Sequence, residues 1–323
     1  MGRLVSVVLV TWNSARYLGP CLEALSSQSY PSIELIVVDN DSQDEWLPRV
    51  EPHATHVIRN ASNLGFSAAV NQAIAIATGE FVLLLNPDAR LERDYIASVV
   101  AAFDSAGERF GMAAGRLLRA TGDDISPADG IDSLGIRMTR SGRHLDIDDE
   151  RWLRPLDTEH GIFEVFGVSG AAAMFRRSFL DDVAIGGEIF DEDFFAYRED
   201  ADLAWRGRLF GWRALCATDA VAYHVRRVTP EVRGQLPAAI NMHSVKNRFL
   251  LRMKNEGPYL ALRNAPFELA RDLVVIAACF TVERTSLPAL SWLWRNRAKV
   301  AAKRKAIQQR RVVSDRDLAE WFA

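Results

Sequence analysis

The chain reads as an α/β protein with a mostly parallel central sheet flanked by helices, followed by a C-terminal helical appendage. Three observations lead there. Strand and helix signals alternate over the first 120 residues, the strand runs are continuously apolar, and strand character ceases beyond residue 235. Strict alternation implies parallel strands joined by crossover helices on both faces. Strands buried on both faces lose the in–out pattern and become β-branched runs.

VSVVLV (5–10) is the first such run. Ser14 can cap the following helix, whose Leu18, Leu22 and Leu25 share one side. Pro20 suits only a first turn, so that helix is expected to start late. IELIVVD (33–39) and THVIRN (55–60) are the next strands, and FSAAVNQAIAIA (66–77) is a helix ending at Gly79. FVLLLNPDA (81–89) is a fourth strand, with a helix over about 93–104. Residues 119–160 are polar and turn-rich, an insertion of loops or short hairpins of the kind that builds a substrate-facing rim. GVSGAAAMFRR (167–177) returns to strand, a helix follows from about 199, and RALCATDAVAYHV (213–225) is the last strand region.

The composition is that of an ordinary globular protein: 323 residues, 49% hydrophobic and 25% charged. A formal net charge of -3 argues against a nucleic-acid partner. Cys21, Cys216 and Cys279 are far apart, with no CxxC, and read as reduced, buried thiols of a cytoplasmic protein. The N-terminal apolar run is too short for a signal sequence, and no run reaches the roughly 18 residues that span a bilayer.

In an open parallel sheet, ligands bind outside the carboxyl ends of the strands. The candidates there are Thr11 and Asn13 after the first strand, Asp39 and Asp41 after the second, and Asn86 and Asp88 after the fourth. TWNSAR contains neither a GxGxxG nor a GxxxxGK[ST], which argues against a dinucleotide-dependent dehydrogenase and a P-loop NTPase. Without a glycine loop, a diphosphate can be held by Mg²⁺ or Mn²⁺ on carboxylate oxygens, and Asp88 is placed for this. On spacing alone, Asn86-Pro87-Asp88 can equally cap a turn. Asp39 can accept from a nucleobase or ribose, or close an Asx-turn in DNDSQD. His224 can supply an imidazole ligand to the same metal or be satisfied within the fold. FFAYREDADLAWR sets Glu199, Asp200 and Asp202 behind three aromatics, either as a solvated helix start or as a site needing a base or a metal.

Taken in order, VSVVLVTWNS, VVDNDSQD, NLGFSAAVNQAI, LLLNPDARL, GAAAMFRR and FDEDFFAYREDADLAWRGRLFGW resemble the family 2 glycosyltransferases with the GT-A fold, and most of all their rhamnosyltransferase branch. The likeness covers about residues 4–230. It implies a nucleotide-binding half (1–118) and an acceptor-binding half (119–234) in a catalytic domain 1–234, with 235–323 appended. By the resemblance, Asp39, Thr11 and Asn13 contact the nucleotide and Asp41 lies near the ribose. Asn63, Gly65 and Asn71 shape the loop and helix under the diphosphate. Asp88 matches the last carboxylate of the DxD metal motif, whose first position is here Asn86, and His224 sits where relatives carry a further metal or phosphate ligand. Asp200 is implied as the general base, with Glu199 tuning it or lining the acceptor pocket. Gly170 is expected in the acceptor wall, though a tightly packed strand explains its alanine neighbours as well. Asp202 is expected to cap or pair with Arg206, itself a diphosphate or structural contact.

The activity implied is an inverting glycosyl (hexosyl) transfer, dependent on a divalent cation, from dTDP-L-rhamnose to a saccharide or lipid-linked acceptor in cell-surface polysaccharide or glycolipid synthesis. The alternatives are a UDP-hexose or UDP-N-acetylhexosamine donor, or a non-catalytic nucleotide-sugar-binding scaffold. A nucleotidyltransferase would want a glycine-rich basic loop in place of TWNSAR. Beyond residue 235, Trp292 and Trp294 beside a basic block suggest helices on the inner face of the cell membrane, a helical cap on the catalytic domain, or a homo-oligomer interface. KNRFLLRMKN (246–255) fits any of these roles.

Overall fold

The structure is a computed structural model, and it describes residues 2–226 and 238–323. The expected domain boundary at 234–235 lies outside the described residues.

The sheet is built around four parallel strands: β1 (Val5–Thr11) lies between β2 (Ile33–Asp39) and β4 (Phe81–Leu85), and β3 (His56–Arg59) borders β2. β12 (Ala172–Arg176) runs antiparallel to β4 and to β6 (Phe110–Thr121), and β13 (Arg213–His224) continues parallel to β6. Alternate residues of β1 face two cores. Val5, Val7 and Leu9 pack with α1 (Ala15–Ser26) and α4 (Tyr95–Ala106), while Val8 packs with α3 (Phe66–Ile76), α5 (Arg177–Val183) and α6 (Glu199–Leu209). Helices therefore cover both faces, and this accounts for the unbroken apolar runs.

The expected start of α1 and the expected end of the fourth strand are corrected, while the polar insertion forms short antiparallel pairs of the kind expected. Pro20 lies inside α1, which starts at Ala15, and the Ser14 hydroxyl bonds the Trp12 carbonyl instead of capping the helix. The fourth strand stops at Leu85; Asn86-Pro87-Asp88 turns the chain into a short β5 (Ala89–Leu91) that pairs with β13. The polar insertion holds β7 (Ser126–Ser133) on the edge of β6, the hairpin β8 (Ile136–Met138) and β9 (His144–Asp146), and β10 (Arg154–Asp157) with β11 (Ile162–Val165).

The C-terminal helices α7 (Ala238–Asn255), α8 (Pro258–Phe280), α9 (Leu287–Arg295), α10 (Arg297–Arg310) and α11 (Asp315–Leu318) dock on this domain through apolar side chains, among them Leu250, Leu251 and Ile307, and through buried charge. Lys254 of α7 pairs with Asp191 and, at 2.8 Å, with Asp202, and Asn255 bonds Asp202 at 2.7 Å. Asp202 reaches Arg206 only at 3.6 Å, so the expected Asp202–Arg206 pair is its minor contact. Lys303 of α10 meets Glu188, Asp191 and Asp193 at 2.6–2.9 Å, and Lys299 meets Asp193 at 2.6 Å. Two lysines of the basic block thus clamp the acidic segment 188–193. KNRFLLRMKN belongs to the same cap, with Lys246, Asn247, Arg248, Arg252 and Lys254 all buried.

Candidate active site

Register places the candidates on one rim. Thr11 stands opposite Asp39, and Val8 opposite Leu84, so Thr11 lies level with the turn after β4. Asp39 is two strands from β4, about 10 Å at the usual strand spacing. The Asn86 N–H bonds the Ala171 carbonyl at 2.9 Å, and the neighbouring Gly170 N–H donates to Asp200 Oδ2 at 3.3 Å. Two backbone links therefore join the Asp88 turn to the first turn of α6. On the other side, the Val225 N–H donates to the Asp88 carbonyl at 3.0 Å and brings His224 alongside.

His224 sits between two carboxylates: Nε2 is 3.4 Å from Asp88 Oδ1 and Nδ1 is 2.8 Å from Asp132 Oδ2. Burial alone would lower its pKa, but the bonds to Asp132 and Asp88 outweigh it and raise it to about 9. Arg226 extends the network, with Nε 2.7 Å from Asp132 and a terminal nitrogen 2.7 Å from Asp146. Burial would raise the Asp132 pKa, yet His224 and Arg226 hold it below the ordinary value.

These residues fit a divalent cation. Two ligands each about 2.1 Å from one ion stand about 3 Å apart, close to the Asp88–His224 separation, and a ligating histidine ordinarily donates its other N–H to a carboxylate, as His224 does to Asp132. The ion would displace the proton from Nε2. Among the described residues, no three His, Cys, Asp or Glu side chains would hold an ion by themselves. Diphosphate oxygens would have to complete the shell, all the more because Asn86 occupies the first position of the DxD-like motif and brings no carboxylate.

Asp200 is held from two sides, with Oδ2 on Gly170 and Oδ1 accepting the Ala201 N–H at 2.7 Å. Burial raises its pKa to about 6; the Ala201 bond opposes this and the Asp146 charge adds to it. Burial, and then the Asp200 charge, push Glu199 up to about 8, and its Oε2 is buried with no hydrogen-bond partner. Near pH 7 the pair is therefore one carboxylate and one neutral acid, the separation of roles that neighbouring acids with divergent pKa values provide.

The loop before α6 is strained. Phe195, Tyr197 and Arg198 all have φ between +64° and +72°, a region costly for residues with a Cβ. Asn247 of α7 holds the loop by donating to the carbonyls of Phe194, Ala196 and Tyr197 at 2.7–2.9 Å. Gly65 closes the other side: with φ +89° it approaches Phe195 so nearly that a Cβ would lie 2.5 Å from the ring. Arg198 also reaches His144 of β9 at 3.2 Å.

The remaining candidates differ in what they do. Thr11 is buried, and its hydroxyl has no hydrogen-bond partner among the described residues. Asp39 accepts the Ser42 N–H at 3.1 Å, the local turn that competed with a ligand role, and its carboxylate retains further acceptor capacity. Asn13 and Asp41, both at positive φ, tie down Gln43, and Asn63 accepts from the Gly65 N–H. Two residues are not at the cleft. Arg206 is buried two turns below Asp200, with its guanidinium on the carbonyls of Val183 and Ile189. Asn71 exchanges two hydrogen bonds with the Phe190 backbone, locking α3 to that segment. Asp132, Asp146, Arg226, Arg198, His144 and Asn247 escaped the sequence reading: four lie in a polar insertion or at a strand end without a motif, Arg198 lies inside FFAYREDADLAWR beside the acids that drew the eye, and Asn247 lies in a helix set aside as appendage.

The glycosyl transferase family 2 model matches residues 6–184, more than half of the chain. The chain belongs to that family. This glycosyltransferase is similar to the putative glycosyltransferase EpsH of Bacillus subtilis strain 168, at 24% identity over 81% of this chain and 68% of EpsH. It also matches a PGL/p-HBAD biosynthesis glycosyltransferase of Mycobacterium bovis, at 32% identity over 30% of this chain and 41% of that protein. In structure it is similar to the mannosyltransferase PcManGT from Pyrobaculum calidifontis, in complex with GDP-Man and Mn²⁺, with a TM-score of 0.55, 21% identity, and 95% and 85% of the two chains covered. S. aureus TarS 1-349 in complex with UDP-GlcNAc gives a TM-score of 0.56 at 16% identity, covering 95% and 90%. These likenesses establish the GT-A fold of the glycosyltransferase.

Proposed function

We propose that this glycosyltransferase works with inversion and that Asp200 is its general base. The observation that carries the reading is the placement of Asp200, fixed by Gly170 and Ala201, on the rim that also holds Asp88 and His224. Asp200 takes the proton of an acceptor hydroxyl as its oxygen bonds to the anomeric carbon, and the bond from that carbon to the diphosphate oxygen breaks on the opposite face. Asp88 and His224 would hold Mg²⁺ or Mn²⁺, which neutralises charge growing on the leaving diphosphate. Thr11 and Asp39 line the nucleotide end; the unpartnered Thr11 hydroxyl supports a ligand there. Neutral Glu199 keeps a second negative charge away from the base.

The motif order favours dTDP-L-rhamnose as donor. The TarS neighbour, solved with UDP-GlcNAc, favours a UDP-N-acetylhexosamine as the second reading. Thermal unfolding in the presence of dTDP, UDP or GDP, with Mn²⁺ or EDTA, separates these, since each ligand stabilises by its own affinity. Asp200→Asn should lose 10²–10⁴-fold in transfer rate, roughly the worth of a positioned base, while keeping the nucleotide shift. Undiminished turnover would remove Asp200 as the base, and equal nucleotide shifts in Mn²⁺ and EDTA would remove the cation.

A further inference from the structure

Helix α8 is amphipathic in the wrong sense for a water-facing helix. Its inward stripe is polar, with Asn264, Glu268 and Asp272 four residues apart. Glu268 meets Arg252 at 2.9 Å and Asp272 meets Arg248 at 3.1 Å, both on α7. Its outward stripe is apolar: Leu262 (79% exposed), Leu269, Leu273 (68%), Val274 and Phe280 stand in the open, with Val282 just beyond. A 23-residue helix is about 34 Å long, so the face is a continuous strip, and each large apolar side chain left in water forgoes the stabilisation of burial. Soluble surfaces rarely keep such a strip uncovered.

Charge decides what covers it. The exposed charged side chains of residues 258–299 include Arg271, Arg284, Arg295 and Arg297, and no aspartate or glutamate in that stretch is exposed. Trp294, 69% exposed, carries the Arg297 guanidinium over its ring. A second copy laid on this face would set arginine against arginine, whereas an anionic lipid surface complements both the arginines and the apolar strip. Among the described residues no single helix is long and apolar enough to cross a membrane; α8 and residues 284–295 qualify only together, and the chain bends by 105° between them. The ion pairs to α7 also hold α8 against the domain, so it can lie on a bilayer but not leave the protein to enter one.

The strip adjoins the active site. Arg140, in the turn between β8 and β9, donates to the Arg263 carbonyl at 3.3 Å and lies 4.1 Å from the centre of the Phe267 ring. Along β9, His144 meets Arg198 and Asp146 meets Arg226, beside Asp200. We propose that α8 and the segment after it dock flat on an anionic phospholipid surface and thereby present Asp200 to an acceptor carried at that surface. The acceptor half of this statement rests on Asp200 being the base; the docking half does not.

The test is flotation of the full chain with phosphatidylcholine vesicles, with and without phosphatidylglycerol, alongside size-exclusion chromatography without lipid. The wild-type chain should float with the phosphatidylglycerol vesicles at least tenfold better than with phosphatidylcholine alone, and high salt should release it. Leu269→Glu/Leu273→Glu and, separately, Arg271→Glu/Arg284→Glu should each lose about tenfold in partitioning. Both should keep the wild-type unfolding temperature and nucleotide shift, which shows that they fold. A wild-type chain that floats with neither vesicle, or a leucine variant that floats as well as wild type, overturns the docking. So does a lipid-free dimer that the leucine variant breaks, because a second copy would then cover the strip. Loss of docking with the nucleotide shift retained leaves the enzymatic reading standing, so the two fail separately.

Discussion

Replacing Glu199 by glutamine isolates the buried acid from the base beside it. The folded chain holds the Glu199 proton with a pKa of about 8 against an ordinary 4.5. Below about pH 4.5 both the folded and unfolded chains are protonated there and nothing is lost. As the pH climbs, the unfolded chain releases the proton first, so stability falls and the full loss is reached near pH 8. The gap (8 less 4.5, at about 1.4 kcal/mol per pH unit) is worth on the order of 4–5 kcal/mol, which relaxation and water entry reduce to a few. Glutamine keeps the shape and cannot ionise. In urea unfolding at pH 5 and pH 8.5, wild type should therefore lose a few kcal/mol more than Glu199→Gln between the two. The same variant should keep the acidic limb of kcat/KM near pH 6, since that limb belongs to Asp200. Equal pH dependence of stability in the two proteins would show that Glu199 is not held neutral. Disappearance of the limb would make Glu199, and not Asp200, the group that takes the acceptor proton.

Two further substitutions probe how the C-terminal helices support the site. Lys254→Met removes the cation shared by buried Asp191 and Asp202 and should cost about 3–5 kcal/mol in denaturant unfolding; a loss below 1 kcal/mol would mean that Lys303, Arg206 and Asn255 suffice. Asn247→Ala frees the strained loop from three hydrogen bonds, worth about 1 kcal/mol each, and should lower kcat at least tenfold with nucleotide binding within twofold. A variant that loses stability while kcat holds would reduce Asn247 to a structural role.

The parallel core was legible because burial on both faces leaves its mark on each strand separately: VSVVLV, IELIVVD and FVLLL need no partner to be recognised. The end of a strand is equally local, which is why Thr11, Asp39 and Asp88 could be found by position. The acidic pair at 199–200 stood out as charge against an apolar run. What the chain order conceals is who meets whom across the fold. Asp132 and Asp146 sit in a polar insertion with no period or motif, and they matter only because β7 and β9 carry them to His224 and Arg226. At Arg206 the sequence leaves a diphosphate or a structural contact open, and only the fold shows its guanidinium two helical turns down on the Val183 and Ile189 carbonyls; Asn71 shapes its helix through a distant backbone, that of Phe190. The basic C-terminal block read as one feature and divided in three dimensions, Lys299 and Lys303 on α10 clamping the acids of 188–193 while the arginines flanking α9 are exposed at the surface. Amphipathicity shows that a helix has two faces; which one turns inward depends on partners far away in the chain, here Arg248 and Arg252, whose charges draw the polar side of α8 in and leave its apolar side out.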